Sequence, residues 1–302
     1  MATAQEKKEI AHEFRFFRVY KDGTVELLRP PTPTIPPFDD PTTGLRTKDA
    51  VISTNPPLSA RLFLPKITAP SNNNKLPVLL FFHGGGFCYR SAFSADYHNH
   101  LAAIANEANV IAVSVEYGLF PARPLPACYE DAWSALQWIA SHAGGNGPEQ
   151  WLNNHGDLER VFVSGNSAGG NISHTVVSEV GKKGLLGAKI IGMILAHPYF
   201  GEDDRMWMYM CKDNRGPEDP RMKPAAEDLK RLGCERVVVF AAEKDELFGA
   251  GKKYVEELKK SGWVGSAELV VNLGMRHSQH VYQPDDEKAH AILKKIASFI
   301  HD

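Results

Sequence analysis

Two patterns of hydrophobic and polar positions divide the chain. In its first quarter, the short apolar runs "FRFFRVY" near 15–21, "DAVIST" (49–54) and "SARLFLP" (59–65) are separated by turns such as "RPPTPTIPPFDDP" and "APSNNNK". Short runs between Pro- and Asn-rich turns predict antiparallel strands behind an irregular N-terminal arm.

From residue 77 the pattern changes. Apolar runs predict strands at 77–83, 110–117, 160–165, 190–197, 236–243 and 267–273, and amphipathic spacing predicts helices at 95–108, 127–142, 168–182, 248–260 and 285–300. In the last helix Ala289, Ile292, Leu293, Ile296 and Ile300 share one face, and Asp285, Asp286 and Glu287 fill the first turn, where the helix dipole favours acids. Strands alternating with helices predict an α/β fold with a mostly parallel sheet. No repeat or long linker cuts the chain, so 1–302 reads as one domain, with 1–45 as an N-terminal arm or cap segment. One stretch breaks the alternation: "YFGEDDRMWMYMCKDNRGPEDPRMKP" (199–224) reads either as a lid or pocket wall, or as a surface excursion packed by its own side chains.

Composition mainly narrows the list of partners. The chain has 302 residues, 43% hydrophobic and 23% charged, enough for one substantial core. A formal charge of −2 gives no electrostatic footprint for nucleic acid or an anionic membrane. "MATAQEKKEIAHEF" lacks the apolar core of a secretory signal, and no apolar run reaches 18 residues, so a cytoplasmic protein is expected. Cys88, Cys128, Cys211 and Cys234 lie far apart, which predicts reduced thiols and no zinc site. No histidine pair has the H-E-x-x-H spacing, and neither metal nor cofactor is expected. His98, His100 and His142 read as helix-surface residues, and His174 as packing or solvated.

The candidate chemistry starts at "GNSAG" (165–169), which fits G-x-S-x-G. A strand of β-branched residues precedes it, and Ala168, Ile172, Val176 and Val180 follow as one helix face, the context of a nucleophile elbow rather than of a serine that merely caps a helix. Gly165 and Gly169 flank Ser167 where a strained, crowded turn excludes Cβ atoms. "HGGGF" (83–87) ends an apolar strand. Its glycines leave backbone N–H groups free to meet an oxyanion, with Gly85 and Gly86 as donors and Ala168 as the third. His83 reads as an anchor of that loop and Gly84 as part of its motif. A P-loop is excluded by the missing Lys.

A serine hydroxyl needs a base, and the base needs an acid to orient it. In the chain order Ser, acid, His, the acid falls in "RVVVFAAEKDE", where Asp245 has Glu243 and Glu246 as rivals. The histidine falls in "VVNLGMRHSQH", where His277 is preferred to His280 as the first to follow the glycine turn.

With these residues assembled, the chain resembles the plant carboxylesterases of the hormone-sensitive-lipase-like α/β-hydrolases. The resemblance rests on "FFRVYKDGTVE", "LPVLLFFHGGGF", "VSVEYGLFPARPLPACYEDAWSALQWI", "GNSAGGNISH", "AAEKDELF", "ELKKSGW" and "HSQHVYQP". It implies an α/β-hydrolase fold with a mostly parallel eight-stranded sheet, a Ser167–Asp245–His277 triad and an oxyanion hole at H-G-G-G. It also implies relatives that do not hydrolyse esters: 2-hydroxyisoflavanone dehydratases, often with Thr at the nucleophile, alkaloid cyclases with altered acid and His positions, and gibberellin receptors without the histidine. The chain departs from the family at Asn166, where an acid is usual, and at "YGLFPARPLPA" in place of "YRLAPEHPLPA". Gly118 thus replaces an Arg, and Ala122 and Arg123 replace a Glu–His pair. The paired loss of an acid at 166 and an Arg at 118 would avoid a buried unpaired ion if the two normally meet. The 199–224 segment looks shorter than usual, which would reshape the acyl pocket.

The expected protein is a serine carboxylesterase acting on small or aromatic esters, a monomer or homodimer, with Phe87, Phe93, Phe120 and Tyr199 as pocket wall. The alternatives are a dehydratase or cyclase with His277 as base, and a receptor-like binding protein, which the intact triad disfavours.

Overall fold

The computed structural model describes residues 9–67, 75–201 and 204–302. Most of the "APSNNNK" turn and the first eight residues of the N-terminal reading lie outside these. The chain enters as a small antiparallel sheet of β1 (Ile10–Glu13), β2 (Phe17–Tyr20) and β3 (Val25–Leu27). A hairpin of β4 (Arg46–Thr54) and β5 (Pro57–Leu64) leads into β6 (Leu76–Phe82), α1 (Ala95–Glu107), β7 (Ile111–Glu116), α2 (Ala127–Ala140), α3 (Gln150–His155), β8 (Gly156–Asn166) and α4 (Ala168–Lys183). Then follow β9 (Ile190–Ala196), α5 (Arg205–Met210), α6 (Ala226–Lys230), β10 (Arg236–Ala242), α7 (Phe248–Lys260), β11 (Ser266–Asn272), α8 (Gln279–Tyr282) and α9 (Glu287–His301).

Eight strands form one sheet in the order β11-β10-β9-β8-β6-β7-β5-β4. Only β5 runs against its neighbours β4 and β7, and the other pairings are parallel. Every residue of β6 is buried, as a strand covered by helices on both faces requires. The two-residue alternation of a strand then sorts its side chains: Val78, Leu80 and Phe82 join one core layer with Ile172 and Val176 of α4, whereas Leu79 and Phe81 join a second with Leu101 of α1 and Ile292 of α9. Crossover connections place the loops after β8, β10 and β11 at one edge of the sheet, beyond the strands' carboxyl ends.

Pattern and structure differ in places. α9 begins at Glu287 rather than 285 because the Asp286 side chain accepts the Lys288 N–H and caps it. β8 begins at Gly156, through polar residues that broke the apolar pattern. His98 and His142 are buried, not on the surface. His98 Nδ1 lies 3.2 Å from Arg61 Nη1 of β5, and the His142 ring sits between the Trp138 carbonyl and the Glu149 N–H. The 199–224 stretch is anchored by Trp207, which is fully buried and donates through Nε1 to the Tyr129 hydroxyl. All four cysteines are buried and unbridged. Among the described residues no helix is long and apolar enough to cross a membrane.

Candidate active site

Ser167 occupies the single residue between β8 and α4, at φ 55° and ψ −118°. A non-glycine residue at positive φ is strained, and the neighbours hold it there. Its N–H donates to the Ala196 carbonyl at 2.9 Å, and its own carbonyl accepts the N–H groups of Gly170 (2.9 Å) and Tyr199 (3.0 Å). The flanking glycines let the backbones pass: a Cβ on Gly169 would stand 1.9 Å from the Phe82 carbonyl oxygen, and one on Gly165 would stand 2.1 Å from that of Gly169.

His277 reaches Ser167 from the loop after β11. Its Nε2 lies 2.8 Å from Ser167 Oγ, and its Nδ1 lies 2.5 Å from Asp245 Oδ2. Asp245, in the loop after β10, is buried, and its other oxygen accepts the Leu247 N–H at 3.0 Å. Burial opposes its ionisation, but the hydrogen bond and charge of His277 and the Leu247 N–H outweigh this and hold the carboxyl below its ordinary value. The rival acids are engaged elsewhere. Exposed Glu243 accepts the Gly274 N–H at 2.8 Å, and exposed Glu246 pairs with Arg15. His280 is buried beside His197 and His100, and neither of its ring nitrogens has a partner among the described residues.

The glycine loop faces the same site, since Gly85, Gly86, Ser167 and His277 line one cavity. Gly85 and Gly86 both have positive φ, and neither donates its N–H to another group among the described residues. Ala168 opens α4, so its N–H has no acceptor within the helix. His83 holds the loop, with Nδ1 2.7 Å from the Gly84 carbonyl and its ring stacked on Tyr117 at 4.3 Å. Burial lowers its pKa to about 4, so it stays neutral.

The cavity measures about 190 Å³ and is walled by Phe16, Tyr89, Tyr199, Leu247 and Tyr282. Of the expected wall only Tyr199 is there. Phe87, fully buried, stands behind the wall with its ring edge-on to Tyr199. Phe93 packs under the Arg61 guanidinium, and Phe120 packs on Phe17, where it ties down the N-terminal sheet. Phe16 and Tyr282 come from distant parts of the chain, within the stretches "FFRVYKDGTVE" and "HSQHVYQP" but with no chemical pattern that places them at the cavity, whereas Tyr89 follows H-G-G-G-F by two residues. A larger cavity of about 520 Å³, between α6 and α7, has none of Ser167, Asp245 and His277 in its lining.

The donor atoms of His197, Asp245 and His277 lie within 4.8 Å of one another, close enough for a metal. Each is already engaged: the His197 ring accepts the Ser278 N–H at Nδ1 (2.9 Å) and meets Asn272 Oδ1 at Nε2 (3.2 Å), and Asp245 holds His277.

Residues 79–281 match the family model described as alpha/beta hydrolase fold. The chain belongs to this family. It is 40% identical to probable carboxylesterase 1 of Arabidopsis thaliana, over 97% of this chain and 98% of that one. It is equally 40% identical to the 2-hydroxyisoflavanone dehydratase of Glycyrrhiza echinata, over 97% of each. The solved esterase of Pyrobaculum calidifontis superposes with a TM-score of 0.67 at 26% identity, covering 84% of both chains.

Within this hydrolase fold the departures at 118–123 and at 166 are separate. Gly118 donates its N–H to Asp131 at 2.8 Å, and Arg123 Nη1 pairs with the same carboxylate at 2.6 Å. A Cβ on Gly118 would stand 2.7 Å from Arg123 Cδ, so the guanidinium at 123 fills the space a side chain at 118 would need. Asp131 is thus paired by Arg123. Asn166 instead sits fully buried under Ser167. Its Oδ1 accepts the hydroxyls of Tyr97 (2.9 Å) and Ser278 (3.0 Å), and its Nδ2 donates to the Ala196 carbonyl at 3.2 Å.

Proposed function

We propose that the protein is a serine carboxylesterase, with Ser167 as nucleophile, His277 as general base and acid, and Asp245 as the group that orients the imidazole. The observation that carries this reading is the unbroken path from Ser167 Oγ to His277 Nε2 at 2.8 Å and from His277 Nδ1 to Asp245 Oδ2 at 2.5 Å. His277 takes the Ser167 proton as Oγ attacks the ester carbonyl, and Asp245 stabilises the imidazolium that forms. The N–H groups of Gly85, Gly86 and Ala168 receive the oxyanion. Collapse breaks the ester C–O bond, His277 protonates the leaving alcohol, and water repeats the sequence on the acyl-enzyme.

A dehydratase is the second reading, favoured by the 2-hydroxyisoflavanone dehydratase similarity. It would use His277 as base and the same N–H groups for an enolate. Turnover of 4-nitrophenyl acetate and butyrate separates the two. Wild type is expected to turn over both and to be labelled by a fluorophosphonate. Ser167→Ala is expected to lose activity by a factor on the order of 10⁶, as when subtilisin loses its nucleophile. Absent turnover and labelling in wild type would overturn the esterase reading, and dehydration surviving in Ser167→Ala would establish the alternative.

A further inference from the structure

The cavity beside Ser167 is lined by an arginine that none of the described residues pairs. Besides His277, its charged lining consists of Arg15, Arg29 and Glu246. Glu246 is taken by Arg15. Arg29, just after β3, is exposed and has no acidic or hydrogen-bonding partner among the described residues. Arg90, whose guanidinium lies 4.8 Å from the Tyr282 ring behind the wall, is held by Asp96 at 2.5 Å. Arg29 is thus a cation on the cavity wall that no described acid pairs, on a chain whose formal net charge is −2. The size is informative as well. A cavity of about 150 Å³ holds benzene, so about 190 Å³ between aromatic walls suits a single ring or a short chain.

We propose that the enzyme prefers anionic esters of this size and that Arg29 of the N-terminal arm is the residue that selects them by pairing with the substrate carboxylate. This rests on the esterase reading. With 4-acetoxybenzoate, Ser167 Oγ bonds to the acetyl carbon, the bond between that carbon and the phenolic oxygen breaks, and His277 passes the serine proton to the phenolate. Water then releases acetate and restores the serine.

The test compares 4-acetoxybenzoate with its methyl ester, which puts the charge on the leaving group, and mono-4-nitrophenyl glutarate with 4-nitrophenyl butyrate, which puts it on the acyl group. For at least one pair the anionic-to-neutral ratio of kcat/KM is expected to fall about fivefold in Arg29→Ala, the factor for one ion pair at about 4 Å in high dielectric. Arg29→Lys should restore the ratio, and added salt should shrink it in wild type. A ratio unchanged by Arg29→Ala for both pairs overturns the proposal. Should wild type hydrolyse none of the four esters, the esterase reading fails by itself. Calorimetric binding of 4-hydroxybenzoate then decides about Arg29: affinity about fivefold weaker in Arg29→Ala supports its role, and equal affinity overturns it.

Discussion

The Tyr97 hydroxyl ties the glycine loop to Asn166, accepting the Gly84 N–H at 2.8 Å and donating to Asn166 Oδ1 at 2.9 Å. Because Ser278 donates to the same oxygen, the residue under Ser167 is joined both to the glycine loop and to the neighbour of His277. Tyr97→Phe leaves the Gly84 N–H and half of the Asn166 acceptor unpaired in a buried site, at a cost of about 1–3 kcal/mol. Urea denaturation measures that loss. A fall in kcat for 4-nitrophenyl acetate larger than the rise in KM is expected with it, since the loop acts on the transition state.

Only Asp245 among the three neighbouring acids touches His277. Asp245→Asn should lower kcat by about 10⁴, because the amide favours the wrong imidazole tautomer. Glu243→Gln should cost less than about tenfold, since its role is to receive the Gly274 N–H, which the amide oxygen still accepts. Equal losses in the two variants would reassign the acid.

Ser167 holds φ 55°, a conformation that only glycine adopts without penalty. Ser167→Gly and Ser167→Ala should both be inactive, but the glycine variant should be the more stable of the two by about 1 kcal/mol. Thermal unfolding of the pair decides this, and an alanine variant at least as stable would mean that the elbow is unstrained.

Several histidines are buried in neutral form. Burial lowers His83, His98, His100 and His197 to about 4 and His174 to about 3, with Arg61 adding to the effect at His98 and His277 at His197. Their unfolded-state values lie near 6.5, so between about pH 6.5 and 4 the unfolded chain binds more protons than the folded one. Stability should therefore be fully present above pH ~6.5 and fall as the pH drops through this window. Calorimetry in two buffers of different ionisation heat should detect uptake of several protons on unfolding near pH ~5.

Local pattern was enough to read much of this protein. Continuous apolar runs located the sheet strands and the 3.6-residue period the long helices, because a central strand is buried on both faces and a helix on one. The glycines around Ser167 announced the turn, because a Cβ there meets backbone within a few residues of its own position or at the adjoining strand. Chain order then brought Asp245 and His277 forward. Short elements such as α3, α5, α6 and α8 carry too few residues for a period, and the pattern left them blank.

What only the tertiary structure decided are contacts between residues far apart in sequence. Phe16 and Tyr282 wall the cavity while Phe87, Phe93 and Phe120 serve the core, because apolarity says that a ring will be covered but not by what. His98 and His142 are interior because Arg61 and the Glu149 N–H, 37 and 7 positions away, come to meet them. The positions of Arg29 at the cavity beside Ser167 and of Asn166 beneath that serine follow from how the arm, α1 and the loop after β11 converge on one sheet edge. Convergence of that kind depends on packing the whole chain, which no local period encodes.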